Sequence, residues 1–286
     1  MGTSNSYGGP NGRNPLVPSW LEPNKGSSNE ENDKPSIPQV DSPLEPPELP
    51  PIPPACDPVR FSIARNNYSR FARSGGQDRS SLGRAVSKYI SRSLGGAKQA
   101  AQRMGPSRTV GAKLVNFLTT ATNQGVPQAL KAFNLQILSG RPIEEVFIGL
   151  ASYICPEGGT IDESIARDAF IETIADLAEN GITSLDGLTS AQIRMIFELY
   201  ATHAIEERLF NDIGAKTIVL PANEEVAKVQ ELLHDFIRRG VEDALNKAQT
   251  TIQSLTLEQA HNFVDDIYEQ AFMILQSLGE AEDHRK

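Results

Sequence analysis

Long apolar runs are missing from this 286-residue chain. No stretch approaches the roughly 18–20 consecutive apolar residues of a membrane span, and the opening residues lack the apolar segment of a signal peptide. The expectation is a cytoplasmic protein with no membrane contact. Cysteine is nearly absent: Cys56 stands in a proline-rich stretch and Cys155 at a helix–loop boundary. Two such positions make neither a disulfide framework nor a cysteine zinc site, and both are expected to be reduced thiols. Catalytic signatures are missing as well. There is no serine nucleophile elbow, Walker loop, dinucleotide-type glycine fingerprint or HExxH motif, and Gly158-Gly159 lacks the Lys-Ser/Thr partner of a phosphate loop. The sequence therefore predicts a non-enzymatic protein with no catalytic residue, no cofactor and no metal.

What is present is unevenly distributed. The hydrophobic share of 39% and the mean hydropathy of −0.33 are low for a wholly globular chain, which suggests a polar segment diluting an ordinary domain. The net charge of −9 conceals an asymmetry: residues 1–59 carry −5, 60–113 carry +11, 114–156 are neutral and 157–286 carry −15. Ten of the 19 prolines fall between Pro35 and Pro58. Residues 1–59, rich in Gly, Asn, Ser and Pro, hold too little apolar surface to offset the entropy of ordering, and a disordered arm is expected there. Its proline-rich half would act as a semi-rigid spacer of roughly 70 Å at about 3.1 Å per residue. A basic, partly helical segment is expected over 60–106, and an acidic α-helical domain over 107–286.

Within that domain the apolar positions recur at helical spacing, as at Val110, Leu114, Val115, Phe117 and Leu118. Capping boxes are legible at Thr160/Glu163, Thr189/Gln192 and Thr256/Gln259, and Pro142 precedes the acidic first turn Glu144-Glu145. These signals predict helices near 107–123, 126–139, 142–154, 162–179, 190–213, 223–252 and 256–278, with a further helix over Ser80–Met104. Thr217-Ile218-Val219-Leu220-Pro221 is the one β-like run, and without a partner strand it reads as an extended linker. The fold class expected is all-α.

Two Glu-x-x-His pairs, Glu231 with His234 and Glu258 with His261, have the spacing that places two ligands on one helix face in di-iron bundles. The apolar stripes run through Val226, Val229, Leu233, Phe236 and Ile237 in one case, and through Ala260, Phe263, Val264, Ile267 and Ala271 in the other. Both histidines then fall toward polar sides, and a solvated face is the preferred reading. His203 with Glu206 receives the same one.

The basic segment has the make-up of a phosphate-contacting arm, with Arg79, Arg84, Lys88, Arg92, Arg103 and Arg108 scattered through Ser and Gly. Phe61, Tyr68, Phe71 and Tyr89 could stack on exposed bases. The alternative, which is preferred, is that the basic side chains dock on an acidic surface of this chain or of a partner. In the arm, Pro15-Leu16-Val17-Pro18-Ser19-Trp20 encloses the single tryptophan and reads as a docking motif. Removal of Met1 would expose Gly2, whose α-amino group, with a reference pKa of about 7.7–8.0 against about 10.4 for lysine, is far more nucleophilic near neutrality.

The opening Met1-Gly2-Thr3-Ser4, the Pro15–Trp20 block, the Arg/Gly-rich segment, Cys155-Pro156-Glu157-Gly158-Gly159-Thr160-Ile161-Asp162 and Tyr200-Ala201-Thr202-His203-Ala204-Ile205-Glu206 together resemble the QatB family of the bacterial Qat anti-phage defence system. The resemblance implies a non-catalytic component working beside a P-loop ATPase, a QueC-like enzyme and a TatD-like nuclease. QueC-like enzymes activate a 7-deazaguanine carboxylate with ATP and pass it to a nitrogen nucleophile, which makes Gly2 a candidate acceptor. A nucleic-acid-binding adaptor that presents phage DNA or RNA to the nuclease through the basic segment is the alternative.

Overall fold

The computed structural model describes residues 59–156, 159–214, 223–248, 252 and 255–284. Gly2, the Pro15–Trp20 block, the Pro35–Pro58 spacer, Cys56, Gly158 and the 217–221 run lie outside them. Among the described residues there are helices and no strands: α1 Ser62–Arg73, α2 Arg79–Lys88, α3 Ala97–Arg103, α4 Gly105–Gln124, α5 Val126–Lys131, α6 Ile143–Ile154, α7 Ile161–Glu179, α8 Ser190–Leu209, α9 Asn223–Lys247 and α10 Leu257–Asp283. The fold is all-α, as expected.

The three capping boxes form as the sequence indicates. Thr160, Thr189 and Thr256 accept from the backbone N–H three residues on, and Glu163, Gln192 and Gln259 reach back to the cap. Helix boundaries differ where glycine or a left-handed residue intervenes. The single helix expected over 80–104 is two: a π-helical turn at Tyr89–Ser93 follows α2, and Gly95 and Gly96, at φ of 86° and 103°, reverse the chain before α3. A side chain at either position would be strained, since only glycine enters this region freely. The helix expected over 126–139 stops at Lys131, because Asn134 turns left-handed at φ 57° and the Leu135 N–H reaches back to the Leu130 carbonyl at 3.1 Å. α9 ends at Lys247 and α10 runs on to Asp283.

Helix α8 is enclosed by its neighbours. Its buried residues face several directions, from Ile193, Ile196 and Phe197 to Leu199, Tyr200, Ala204 and Ile205, with the polar Glu198 and Thr202 among them; a helix apolar nearly all round is an interior one. α4, α7 and α9 pack on it. Ring contacts link the layers: Phe117 to Phe147 at 6.5 Å, Phe147 stacked on Phe170 at 5.5 Å, Phe170 to Tyr200 at 6.4 Å, and Phe197 to Phe263 at 5.7 Å.

The basic helices are part of this core. Ala64, Tyr68, Phe71, Leu82, Val86, Tyr89 and Ile90 belong to the same hydrophobic cluster as the residues of α4–α10, so the change of charge near residue 107 does not coincide with a break in packing. α2 lies along α10 through glycine. A Cβ on Gly83 would sit 2.7 Å from the Gly279 carbonyl oxygen, and one on Gly279 would collide with the Gly83 carbonyl. The two backbones can approach this closely only because neither position has a side chain. Arg84 then reaches Asp283 with an Nε–Oδ1 distance of 2.8 Å, and Arg108 pairs with Asp265 at 2.7 Å.

Candidate functional site

Three helices bring ionisable side chains to one seam. Asp176 lies near the end of α7, His203, Glu206 and Glu207 on the second half of α8, and His234 with Arg238 on α9. Spacing of three and four residues puts His203, Glu206 and Glu207 on neighbouring ridges of α8. His203 donates from Nε2 to Asp176 Oδ2 at 2.7 Å, and His234 donates from Nδ1 to Glu206 Oε2 at 2.8 Å. The imidazole centroids are 5.2 Å apart. One turn toward the α8 N-terminus, Arg238 donates to Glu198 Oε1 at 3.0 Å. The seam is half-closed: side-chain exposure is 12% for His203, 17% for Glu206 and 24% for His234.

The electrostatics follow from these pairings. The hydrogen bond to Glu206 raises the pKa of His234 against the opposing effect of burial. The hydrogen bond from His203 lowers the pKa of Asp176. Burial, then the adjacent Glu206, raises Glu207 above the ordinary carboxylate range. Tyr68, reaching in from α1, is wholly buried, and its hydroxyl has no hydrogen-bond partner among the described residues. Burial and then the Glu206 charge push its phenol well above the usual value.

This arrangement corrects the expected placement of two histidines. His234 is not on a solvated face, because α8 covers the flank of α9 on which it stands; its carboxylate partner is Glu206, while Glu231 is exposed. His203 is likewise turned into the α7–α8 junction by Asp176. His261 and Glu258 are exposed, as expected. A helical stripe locates the centre of a buried face but not how far neighbours cover its edges, and for that reason the His203–Glu206–His234 group was not legible from spacing alone.

The aromatic residues of the basic segment are also corrected. Tyr68, Phe71 and Tyr89 are fully buried and Phe61 packs against Tyr89 at 6.1 Å, so these rings are core and are not presented to bases. Tyr68 and Phe71 recur with Ala64 and Ala72 as the helical stripe of α1, a signal masked by the surrounding arginines. Of the six basic candidates, Arg84 and Arg108 are engaged by Asp283 and Asp265 of α10. Arg79 and Arg92 are exposed, and Lys88 and Arg103 are half-buried. Burial and then the nearby Arg60 and Arg208 lower the pKa of Arg103.

A second polar junction joins the two π-helical turns, Tyr89–Ser93 after α2 and Phe210–Gly214 after α8. Tyr89 donates to Asp212 Oδ2 at 2.8 Å, Arg208 donates to the same oxygen at 3.2 Å, and Arg65 donates to the Asp212 carbonyl at 2.8 Å. Asp212 thereby anchors α1 and α2 to the end of α8. A cleft of about 650 Å³ between α9 and α10, lined by Ala244, Lys247, Phe263, Asp266 and Ile267 among others, holds none of the candidate residues.

Among the described residues no helix is long and apolar enough to cross a membrane. All-α packing, an enclosed α8 and a seam of ionisable side chains define a helical protein whose fixed polar groups sit between helices. Residues 95–275 match the family described as Qat anti-phage system associated protein QatB, and because the match spans more than half of the chain, the chain belongs to the QatB family. It is thus a component of an anti-phage defence system. The matched region opens at the Gly95-Gly96 reversal and ends within α10. Comparison with curated proteins found no match, and comparison with solved structures found none.

Proposed function

We propose that this chain is a non-enzymatic scaffold of the Qat system whose amino-terminal Gly2 is the acceptor for modification by a QueC-like partner. The observation that carries this reading is family membership over residues 95–275 joined to the layout of the sequence: the described helical core is preceded in sequence by a proline-rich stretch, with glycine at position 2. An α-amine with a pKa of about 7.7–8.0 keeps a far larger neutral fraction at physiological pH than a lysine does, and a neutral amine is the nucleophile that an activated carboxylate requires. In this scheme Pro15, Leu16, Val17, Pro18 and Trp20 dock the arm on the enzyme. The helical core holds the P-loop ATPase and the TatD-like nuclease.

The experiment is intact-mass and amino-terminal peptide mass spectrometry of the chain expressed alone and with its QueC-like partner, ATP and a deazaguanine supply. The expected result is a partner-dependent mass increase that maps to Gly2 and disappears when Gly2 is replaced by proline. An unmodified terminus in the presence of the active partner removes this reading and favours the nucleic-acid adaptor. That alternative requires steeply salt-dependent binding that weakens in Arg79→Ala and Arg92→Ala.

A further inference from the structure

We infer that His203, Glu206 and His234 form a binding site for a divalent transition-metal ion of the zinc class. This inference does not rest on the modification proposed for Gly2. Each of the three residues offers one ligand atom, and these atoms lie within 4.8 Å of one another. Bonds of about 2.0–2.2 Å around zinc bring ligand atoms to roughly 3.3 Å from each other. Rotations of the Glu206 carboxylate and the imidazoles that move them by about an ångström therefore complete the shell. Two imidazoles and one carboxylate are a donor set that zinc accepts while keeping a further position open, and the nitrogen donors select against magnesium and calcium.

Two observations beyond the cluster itself point to an ion. The first is the carboxylate behind a ligand: Asp176 Oδ2 lies 2.7 Å from His203 Nε2, and with Nε2 donating to that carboxylate, Nδ1 is the nitrogen open to an ion. A carboxylate holding the far nitrogen of a histidine is the usual support of a metal-bound imidazole. The second is the Tyr68 hydroxyl, fully buried and without a hydrogen-bond partner among the described residues, its phenol pushed up by burial and then by the Glu206 charge. A water on the open position of the ion is a partner of the kind this hydroxyl lacks. The ligands come from α8 and α9 and the support from α7, so the ion would tie three helices together. Arg238, also facing the seam, is held by Glu198.

The test uses the full chain without a histidine tag. Titration with Zn²⁺ followed by calorimetry, and metal quantification after dialysis, are expected to give one ion per chain and a higher Tm. Binding should weaken at least 100-fold in His203→Gln and in His234→Gln. Asp176→Asn, which touches no metal, should cost about 10–100-fold and shift the visible d–d bands of the Co²⁺-loaded protein, a signature that a purely structural role of Asp176 would not move. His261→Gln, at an exposed position of α10, should bind as the unaltered chain does. Should a variant lose its helical circular dichroism, diethyl pyrocarbonate labelling of the unaltered chain decides instead, with Zn²⁺ protecting His203 and His234 but not His261. Absence of saturable binding, binding retained in both histidine variants, or labelling indifferent to Zn²⁺ would each overturn the site and leave a hydrogen-bonded proton network only.

Discussion

The seam between α2 and α10 and the seam joining α7, α8 and α9 are both close helix contacts, built in opposite ways. The first is made by omission: Gly83 and Gly279 let the two backbones meet at the crossing, with Ser87 and Glu282 beside them, and Arg84 pairs with Asp283 along the same contact. The second retains ionisable groups, with Asp176, His203, Glu206 and His234 meeting where apolar side chains would pack more simply. Desolvating charged groups is costly unless each is paired. A seam that keeps two such pairs is therefore weak evidence for stability, whereas at the glycine seam the backbones themselves are in contact.

The comparison can be broken at several points. Gly279→Val places a branched side chain against the Gly83 carbonyl and should destabilise the protein by about 3 kcal/mol or more, above the common range for overpacking because the obstacle is backbone; urea denaturation measures it. Arg238→Ala strips the partner from Glu198, whose side chain is 11% exposed, and should cost about 1–2 kcal/mol by the same measurement, less than a wholly buried pair because Arg238 is itself 42% exposed. Thr160→Ala removes the N-terminal cap of α7, the helix that carries Asp176, and is expected to cost about 1 kcal/mol.

Smaller effects sharpen the contrast. Burial pushes the Cys155 thiol up to about 11 from an ordinary 9.0. The folded state thus favours the neutral thiol, and its contribution is complete below pH 9 and lost as pH rises toward 11. In the native chain Cys155 should resist alkylation at pH 8 and react once urea unfolds it, as peptide mapping would show. Arg84→Ala removes a surface-edge ion pair and should change stability by about 0.5 kcal/mol. An effect several times larger would mean that the α2–α10 seam is held by charge and not by the glycine crossing.

Much of the fold is legible in the sequence. The capping boxes at Thr160, Thr189 and Thr256 mark three helix starts to within a residue, because a cap is a local arrangement of a few neighbouring groups. The all-α class follows from apolar spacing alone. α1 is less legible, since Arg65, Arg70 and Arg73 obscure the Ala64–Tyr68–Phe71–Ala72 stripe, and the chain break at Gly95-Gly96 reads as part of a longer helix until the positive φ angles are known. Of the basic side chains, Arg84 and Arg108 pair with Asp283 and Asp265 of α10.

The same Glu-x-x-His spacing occurs on α9 and α10, yet His234 is half-buried in a seam and His261 stands in solvent. By itself the sequence determined what depends on neighbours along the chain: helix class, caps, the polar composition of residues 1–59 and the QatB motifs. Only the tertiary structure decided which helix edge another helix covers, and with it the meeting of His203, Glu206 and His234, because coverage is set by residues far apart in sequence that no local periodicity records.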